Sequence, residues 1–190
     1  MNKFASLLAL LTVTSYSFAK DCSFRKLEIT KREGTTGFYK ISDKITLELL
    51  EGVEGPAWIT LNGKRNCKIE GGNFSDFYIS ASKFYLMTSE YSGSCGENRI
   101  IDIKTCKGHS VKAEYCGSAE VVNGNKVVNK PACEPTEKDR AYCTSAKVYT
   151  ITGTDCKMKL DEKASKALTK KELGVELPFD KGMTVPYPKK

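Results

Sequence analysis

The seven residues 83–89, KFYLMTS, decide what kind of fold this chain can adopt. Side chains of a β-strand alternate between its two faces, so Tyr85 and Met87 share one face while Phe84 and Leu86 share the other. Both faces are therefore apolar. A strand of this kind is usually central and covered on both sides. We expect it to lie in the middle of the fold, with Phe84 in the core.

The sequence on either side of this strand predicts more strands. Residues 24–31, 45–49 and 99–105 alternate apolar and polar side chains, and 109–115 and 140–152 have strand-like composition. The pairs Asn62-Gly63 and Asn123-Gly124 each join two extended runs, which favours tight hairpins because both central residues need positive φ. Roughly eight to eleven short strands predict an all-β fold. We expect an antiparallel β-sandwich or a partly open barrel built from hairpins.

One short helix is expected near the C-terminus. Asp161 can cap it, Gly174 can end it, and Ala164, Ala167 and Leu168 fall at helical spacing. After Pro178 the chain is rich in lysine and proline, and we expect removal of residues 183–190 to change stability little. The expected organisation is a signal peptide at 1–19, a disulfide-stabilised β domain at 20–160, a short helix at 161–175 and an extended or disordered basic tail at 176–190.

The first nineteen residues have the pattern of a secretory signal peptide. Lys3 precedes an apolar run at 4–13, and small residues, Ser17 and Ala19, stand at the positions that signal peptidase reads. The run is too short to span a bilayer, which takes about 20 residues, and no later segment comes close. We therefore expect cleavage after Ala19 and a soluble secreted or periplasmic protein with no transmembrane segment.

Eight cysteines follow this leader, and their even number predicts an oxidised framework. They are Cys22, Cys67, Cys95, Cys106, Cys116, Cys133, Cys143 and Cys156. The chain has no Cys-x-x-Cys pair and one histidine, so a structural metal is not expected. We expect four disulfides and no free thiol. Our best assignment is Cys133–Cys143 and Cys106–Cys116 by proximity, with Cys22–Cys67 and Cys95–Cys156 by elimination.

The charge pattern argues against a nucleic-acid partner. Without the one lysine of the leader the chain has 29 basic and 23 acidic residues, a net charge of +6. Of this excess, +4 belongs to residues 157–190, whereas a nucleic-acid binder concentrates basic charge on a folded face. The tail is expected to be solvated, with weak contact to an anionic surface as an alternative. No phosphate-binding glycine loop is present, and no cofactor is expected.

A catalytic interpretation rests on Ser94, Asp102 and His109, which a hydrolase would have to bring together. Gly93 touches Ser94 directly, so the spacing differs from the Gly-x-Ser-x-Gly elbow of hydrolases. A glycine-rich turn stapled through the neighbouring cysteine explains the same residues more simply. The hydrolase is therefore kept only as an alternative.

The favoured hypothesis is a non-enzymatic binding module that recognises a protein or a glycan. Loops on a rigid β scaffold usually carry such contacts, and the candidate loops are 51–56, 89–97 and 129–140. Among the aromatic residues, Tyr78 and Tyr91 are candidate binding residues, whereas Trp58 is expected in the core. A protease inhibitor or effector is the other alternative. It would present the 133–143 loop, with Lys138 and Arg140 as the basic contact residues.

Overall fold

A computed structural model describes residues 22–186 of the chain, apart from 53, 72, 93–94, 117–118, 123, 138 and 179–181. The described part contains seventeen strands, numbered β1 to β17 in chain order, and one helix, α1. The strands form four antiparallel sheets, none of which closes into a barrel. The all-β, disulfide-stabilised fold with one short helix is therefore confirmed, in the form of a sandwich.

The sheet in the middle, called the central sheet, has five strands. In spatial order they are β1 (Phe24–Lys26), β7 (Asn73–Ser80), β8 (Tyr85–Ser92), β9 (Cys95–Asp102) and β10 (Gly108–Cys116). The front sheet is a five-stranded meander of β2 (Ile29–Glu33), β3 (Thr36–Lys40), β4 (Ile45–Leu50), β5 (Ala57–Leu61) and β6 (Lys64–Ile69). Chain order and spatial order agree in the front sheet, because each strand is joined to the next by a short turn.

Two smaller sheets complete the fold. The rear sheet consists of β11 (Ala119–Val122), β12 (Lys126–Asn129), β15 (Lys147–Thr152) and β16 (Lys157–Leu160). The small sheet consists of β13 (Cys133–Glu137), β14 (Arg140–Cys143) and β17 (Met183–Pro186). The helix α1 (Glu162–Leu173) follows β16 and contacts β15.

The front and rear sheets cover the two faces of the central sheet, so the molecule has three β layers. Leu86 of β8 packs with Leu47 and Ile59 of the front sheet, whereas its neighbour Met87 packs in a separate cluster with Val127 and Tyr149 of the rear sheet. The expectation that 83–89 holds a strand covered on both faces is confirmed. Phe84 lies just before β8 and is 51% exposed, so its placement in the core was wrong.

The local turn and cap signals also correspond to structure. Asn62 and Gly63 join β5 to β6 with φ of 50° and 76°, the positive values that the hairpin turn requires. Asn123 lies outside the described residues, but Gly124, between β11 and β12, has φ of 72°. At the helix, the Asp161 side chain accepts a hydrogen bond from the Ala164 amide, and Gly174 ends the helix in the left-handed conformation.

The buried face of the helix is polar, which the apolar spacing of Ala164, Ala167 and Leu168 did not predict. Its two buried residues are Ser165 and Thr169. The Ser165 hydroxyl accepts from the Val148 amide at 2.8 Å and donates to the Asp161 carbonyl at 2.7 Å. Thr169 accepts in the same way from the Ala146 amide at 2.9 Å. The Ser165 and Thr169 hydroxyls therefore make the hydrogen bonds to the Val148 and Ala146 amides that the backbone of a further strand would otherwise make.

Three disulfides are present among the described residues, and two of them join different layers. They are Cys22–Cys156, Cys67–Cys106 and Cys133–Cys143. Only Cys133–Cys143 matches our assignment; the other three proposed pairings were wrong, because the partners are set by sheet packing rather than by proximity along the chain. The side chains of Cys95 and Cys116 lie outside the described part, although their backbones stand opposite each other in the β9–β10 register.

The end of the chain is partly paired with the body. Met183–Pro186 forms β17, which pairs with β14, and Val185 is buried with Leu177 in a small apolar cluster. Part of the predicted tail therefore docks on the body, and the small effect of removing residues 183–190 stays a prediction. Residues 187–190 lie outside the described part. Within the described residues, no helix is long and apolar enough to cross a membrane.

Candidate ligand-binding groove

A groove of about 360 Å³ opens where the chain passes from the central sheet to the front sheet. The pairing of β1 with β7 ends at Lys26. The next residue, Leu27, makes one more hydrogen bond to β7, in which its amide donates to the Phe77 carbonyl at 2.8 Å. The Leu27 side chain turns into the core between the two sheets, and the chain continues through Glu28 into β2. This crossing leaves space between β7 and the start of the front sheet.

Aromatic rings form the inner wall of the groove. The ring centroid of Phe77 is 5.3 Å from that of Tyr39, in an edge-on arrangement, and 5.2 Å from that of Phe74. Phe77 is 1% exposed, whereas Tyr39 and Phe74 are half-buried at the groove. Glu51 and Gly52, from the predicted loop 51–56, lie at the rim. Packing between the rings fixes their positions, so the wall is preformed.

The charged residues of the groove leave one carboxylate uncompensated. Lys26 pairs with Asp76 at 2.5 Å. Arg32 binds both oxygens of Glu51, at 2.9 and 3.3 Å. Glu28, the third carboxylate, makes no ion pair with any described residue, and it is exposed at the groove. Three negative charges thus face two positive ones in a protein that is basic overall.

Tyr39 experiences this excess of negative charge. Burial raises the pKa of its hydroxyl, and the carboxylates of Glu51, Asp76 and Glu28 raise it further, whereas Arg32 opposes them. No hydrogen bond to this hydroxyl is found among the described residues. The hydroxyl is therefore neutral at physiological pH and is available to a ligand next to an unpaired carboxylate.

The structure describes the side chains of two of the four predicted binding residues, Tyr78 and Arg140. Tyr78 is 8% exposed in the cluster between the central and rear sheets, so it offers no surface to a ligand. Tyr91 belongs to β8, but its side chain lies outside the described part, as does the whole of Lys138. Arg140 is exposed in β14. None of the described members lines the groove.

The serine hydrolase alternative stays a prediction, because Ser94 and the His109 side chain lie outside the described part of the chain. Of the strand that follows Ser94, Cys95 starts β9 and Asp102 ends it. Seven residues of extended strand span about 23 Å. One Asp102 carboxylate oxygen also accepts from the amides of Lys104 and Thr105, at 2.9 and 2.8 Å. The His109 backbone stands opposite Ile100, also far along β9 from Cys95. Asp102 is thus the anchor of a turn.

The 133–143 loop is a clamped β-hairpin. Cys133 and Cys143 stand opposite each other and are joined by a disulfide, and Glu137 stands opposite Arg140. β14 is bonded to β13 on one side and to β17 on the other, so the backbone at Arg140 is already paired along both edges. A protease cleft binds an extended segment through its free backbone groups. The geometry therefore gives the inhibitor alternative no support at Arg140.

Trp58 is not a core residue, in contrast to our expectation. It is half-buried, and the cations of Arg65 and Lys68 lie 5.0 and 6.0 Å from its ring centroid. The strand alternation explains this position, because its neighbours Ala57 and Ile59 are the residues of β5 that face the core. Trp58 therefore lies on the outer face of the front sheet.

Sequence reasoning missed most of the groove, whose members are far apart along the chain. Glu28, Tyr39 and Asp76 belong to a crossover and two different strands, and only the 51–56 loop had been singled out. No group of three or more metal-ligating side chains occurs in the part of the chain that the structure describes. No model of a known protein family matches the chain, and a search of curated proteins finds no relative.

Proposed function

We propose that this protein is a secreted or periplasmic binding module without enzymatic activity, and that its groove binds a positively charged group. The observation that carries the proposal is the unpaired Glu28 carboxylate beside Tyr39, in a groove walled by aromatic rings. The disulfides of the described residues are compatible with an oxidising compartment, and the leader-like residues 1–19 favour export.

Charge and ring geometry favour the same kind of ligand. A cation is attracted to the face of an aromatic ring within about 6 Å, and the attraction grows when the site is partly dry. The Glu28 carboxylate adds a direct ion pair, since its charge is not neutralised by any described side chain. The groove, at about 360 Å³, lies in the size range of small-ligand sites. An ammonium or guanidinium group on a short apolar stem fits this combination.

The test compares a charged probe with a neutral probe of the same shape. Tetramethylammonium and tert-butanol are titrated separately into the protein, and amide chemical shifts are followed by NMR. We expect saturable shifts at Glu28, Tyr39 and Phe74 with tetramethylammonium only. Bound cation should also lower the alkaline pKa of Tyr39, measured as the ultraviolet difference between native protein and Tyr39→Phe.

Glu28→Gln is the matched variant, with Glu134→Gln as control because Glu134 is an exposed acid on the distant β13. We expect Glu28→Gln to weaken cation binding by about threefold to fivefold, the effect of one exposed charge, and Glu134→Gln to leave it unchanged. Equal responses to the charged and neutral probes would contradict the proposal.

A further inference from the structure

We infer that the natural occupant of the groove is an extended basic segment of a partner protein, which adds as a strand to the free edge of β7 and places a lysine or arginine beside Glu28. The charged contact rests on the function proposed above. The added strand rests on a separate observation, the uncovered backbone of β7.

The edge is free because β1 is short. β1 pairs with Tyr78, Ile79 and Ser80 of β7, and one more hydrogen bond reaches Phe77. Towards its start, β7 continues for another four residues, 73–76, and no described strand pairs with them on that side. Unpaired amides and carbonyls along a sheet edge are the groups through which an extended peptide docks.

This free edge is also a wall of the groove. Five consecutive residues of β7, from Asn73 to Phe77, line it together with Glu28 and Tyr39. An added strand would lie about 4.8 Å from β7 and would point alternate side chains towards the groove. A basic side chain at one such position reaches the uncompensated charge, so backbone and side-chain recognition coincide.

The other accessible sheet edge of the same region, β2, is protected against an added strand. β7 is therefore the edge at which we expect a strand to add. β2 is the edge strand of the front sheet, and its exposed residues Lys31, Arg32 and Glu33 are charged, a common protection against added strands. The free part of β7 has one charged residue, Asp76, which is paired with Lys26, and its other members are Asn73, Phe74 and Ser75. The register shift between Phe74 and Asp76 increases the local twist, so the added strand is expected to be short.

The experiment selects ligands without assuming their sequence. A displayed library of random hexapeptides is selected on the native protein, and the enriched peptides are tested for weaker binding to Glu28→Gln and unchanged binding to Glu134→Gln. We expect such peptides to carry one invariant lysine or arginine. Hydrogen exchange of the amides at 73–76 should slow when they bind, while the amides of β2 should not change. Absence of any peptide with this pattern would overturn the inference.

Two modifications of the best peptide separate the inference from the proposed function. Backbone N-methylation at alternate positions removes peptide donors, and we expect about tenfold weaker binding at the positions that face β7 and little change at the others. Uniform tolerance of N-methylation, with tetramethylammonium still bound, overturns the added strand alone. Replacement of the basic residue by norleucine without loss of affinity, while N-methylation still weakens binding, overturns the charge recognition alone.

Discussion

The two faces of the central sheet are packed in different ways. The front interface joins it to strands that follow one another directly, and its buried residues are mostly isoleucine and leucine. The rear interface joins it to strands from the second half of the chain, and its members include Tyr78, Tyr85, Tyr149 and two methionines. Among the described residues, Cys67–Cys106 crosses the front interface and Cys22–Cys156 crosses the rear interface.

This difference indicates how each interface is specified. The front interface packs strands that are near each other along the chain, such as those of Ile59 and Leu86, with regular aliphatic side chains. The rear interface depends on contacts between distant parts of the chain, where closing the loop costs more entropy. Tyrosine and methionine fill less regular space, and methionine is especially adaptable. We therefore expect the rear interface to depend more strongly on its disulfide than the front interface does.

The largest expected effect comes from removing that rear disulfide. Cys22 and Cys156 are 134 residues apart, whereas Cys67 and Cys106 are 39 apart. The loop-entropy relation gives about 5 kcal/mol for the first and about 4 kcal/mol for the second. We expect the double alanine variant at 22 and 156 to be less stable than that at 67 and 106 in urea unfolding. The reverse order would show that the front interface is the weaker one.

Truncation of the two neighbouring core residues in β8 compares the interfaces directly. Leu86 and Met87 are both 0% exposed and face the front and rear interfaces respectively. Leu86→Ala and Met87→Ala should each cost about 2–5 kcal/mol, with the larger cost for Leu86 because regular packing collapses less readily around a cavity. Denaturant unfolding of the two variants measures the loss in the free energy of unfolding for each. Equal costs would remove the distinction in packing drawn above.

Sequence reasoning found the parts of this fold that are local. The two-sided apolar strand, the Asn62-Gly63 turn and the Asp161 and Gly174 caps are each specified within a few residues, and each is present. Three of the four proposed disulfide pairings were wrong and the groove was not found, because layer packing brings together residues such as Cys22 and Cys156 that the sequence separates. Trp58 was misplaced for another reason, since its place at the start of a strand was taken to favour the core and the strand alternation was not applied to it.

The helix provides a smaller effect that concerns the rear sheet only. Ser165 is fully buried and its hydroxyl is the acceptor for the Val148 amide of β15. Ser165→Ala leaves that amide without a partner, so we expect a loss of about 1–3 kcal/mol in the free energy of unfolding. Exposed Ala167→Ser is the control and should change little. Hydrogen exchange should accelerate at Val148 and leave the front sheet unaffected; faster exchange in both sheets would mean that the two interfaces unfold together.

The smallest expected effect is a loss of stability at alkaline pH. It concerns the front interface, where Tyr39 packs against the core. Its folded pKa lies above the unfolded value because burial and then the nearby carboxylates Glu51 and Asp76 oppose ionisation. Below about pH 10 the Tyr39 phenol is protonated in both the folded and the unfolded protein, so its contribution to the free energy of unfolding is fully present. As pH rises further, the unfolded chain ionises first, so stability falls until pH passes the folded pKa. Tyr39→Phe should therefore lose less stability between pH 8 and 11 than native protein, measured by urea unfolding at each pH, whereas the exposed Tyr142→Phe should follow the native curve. Parallel curves for all three proteins would mean that the groove does not hold the excess negative charge on which cation binding depends.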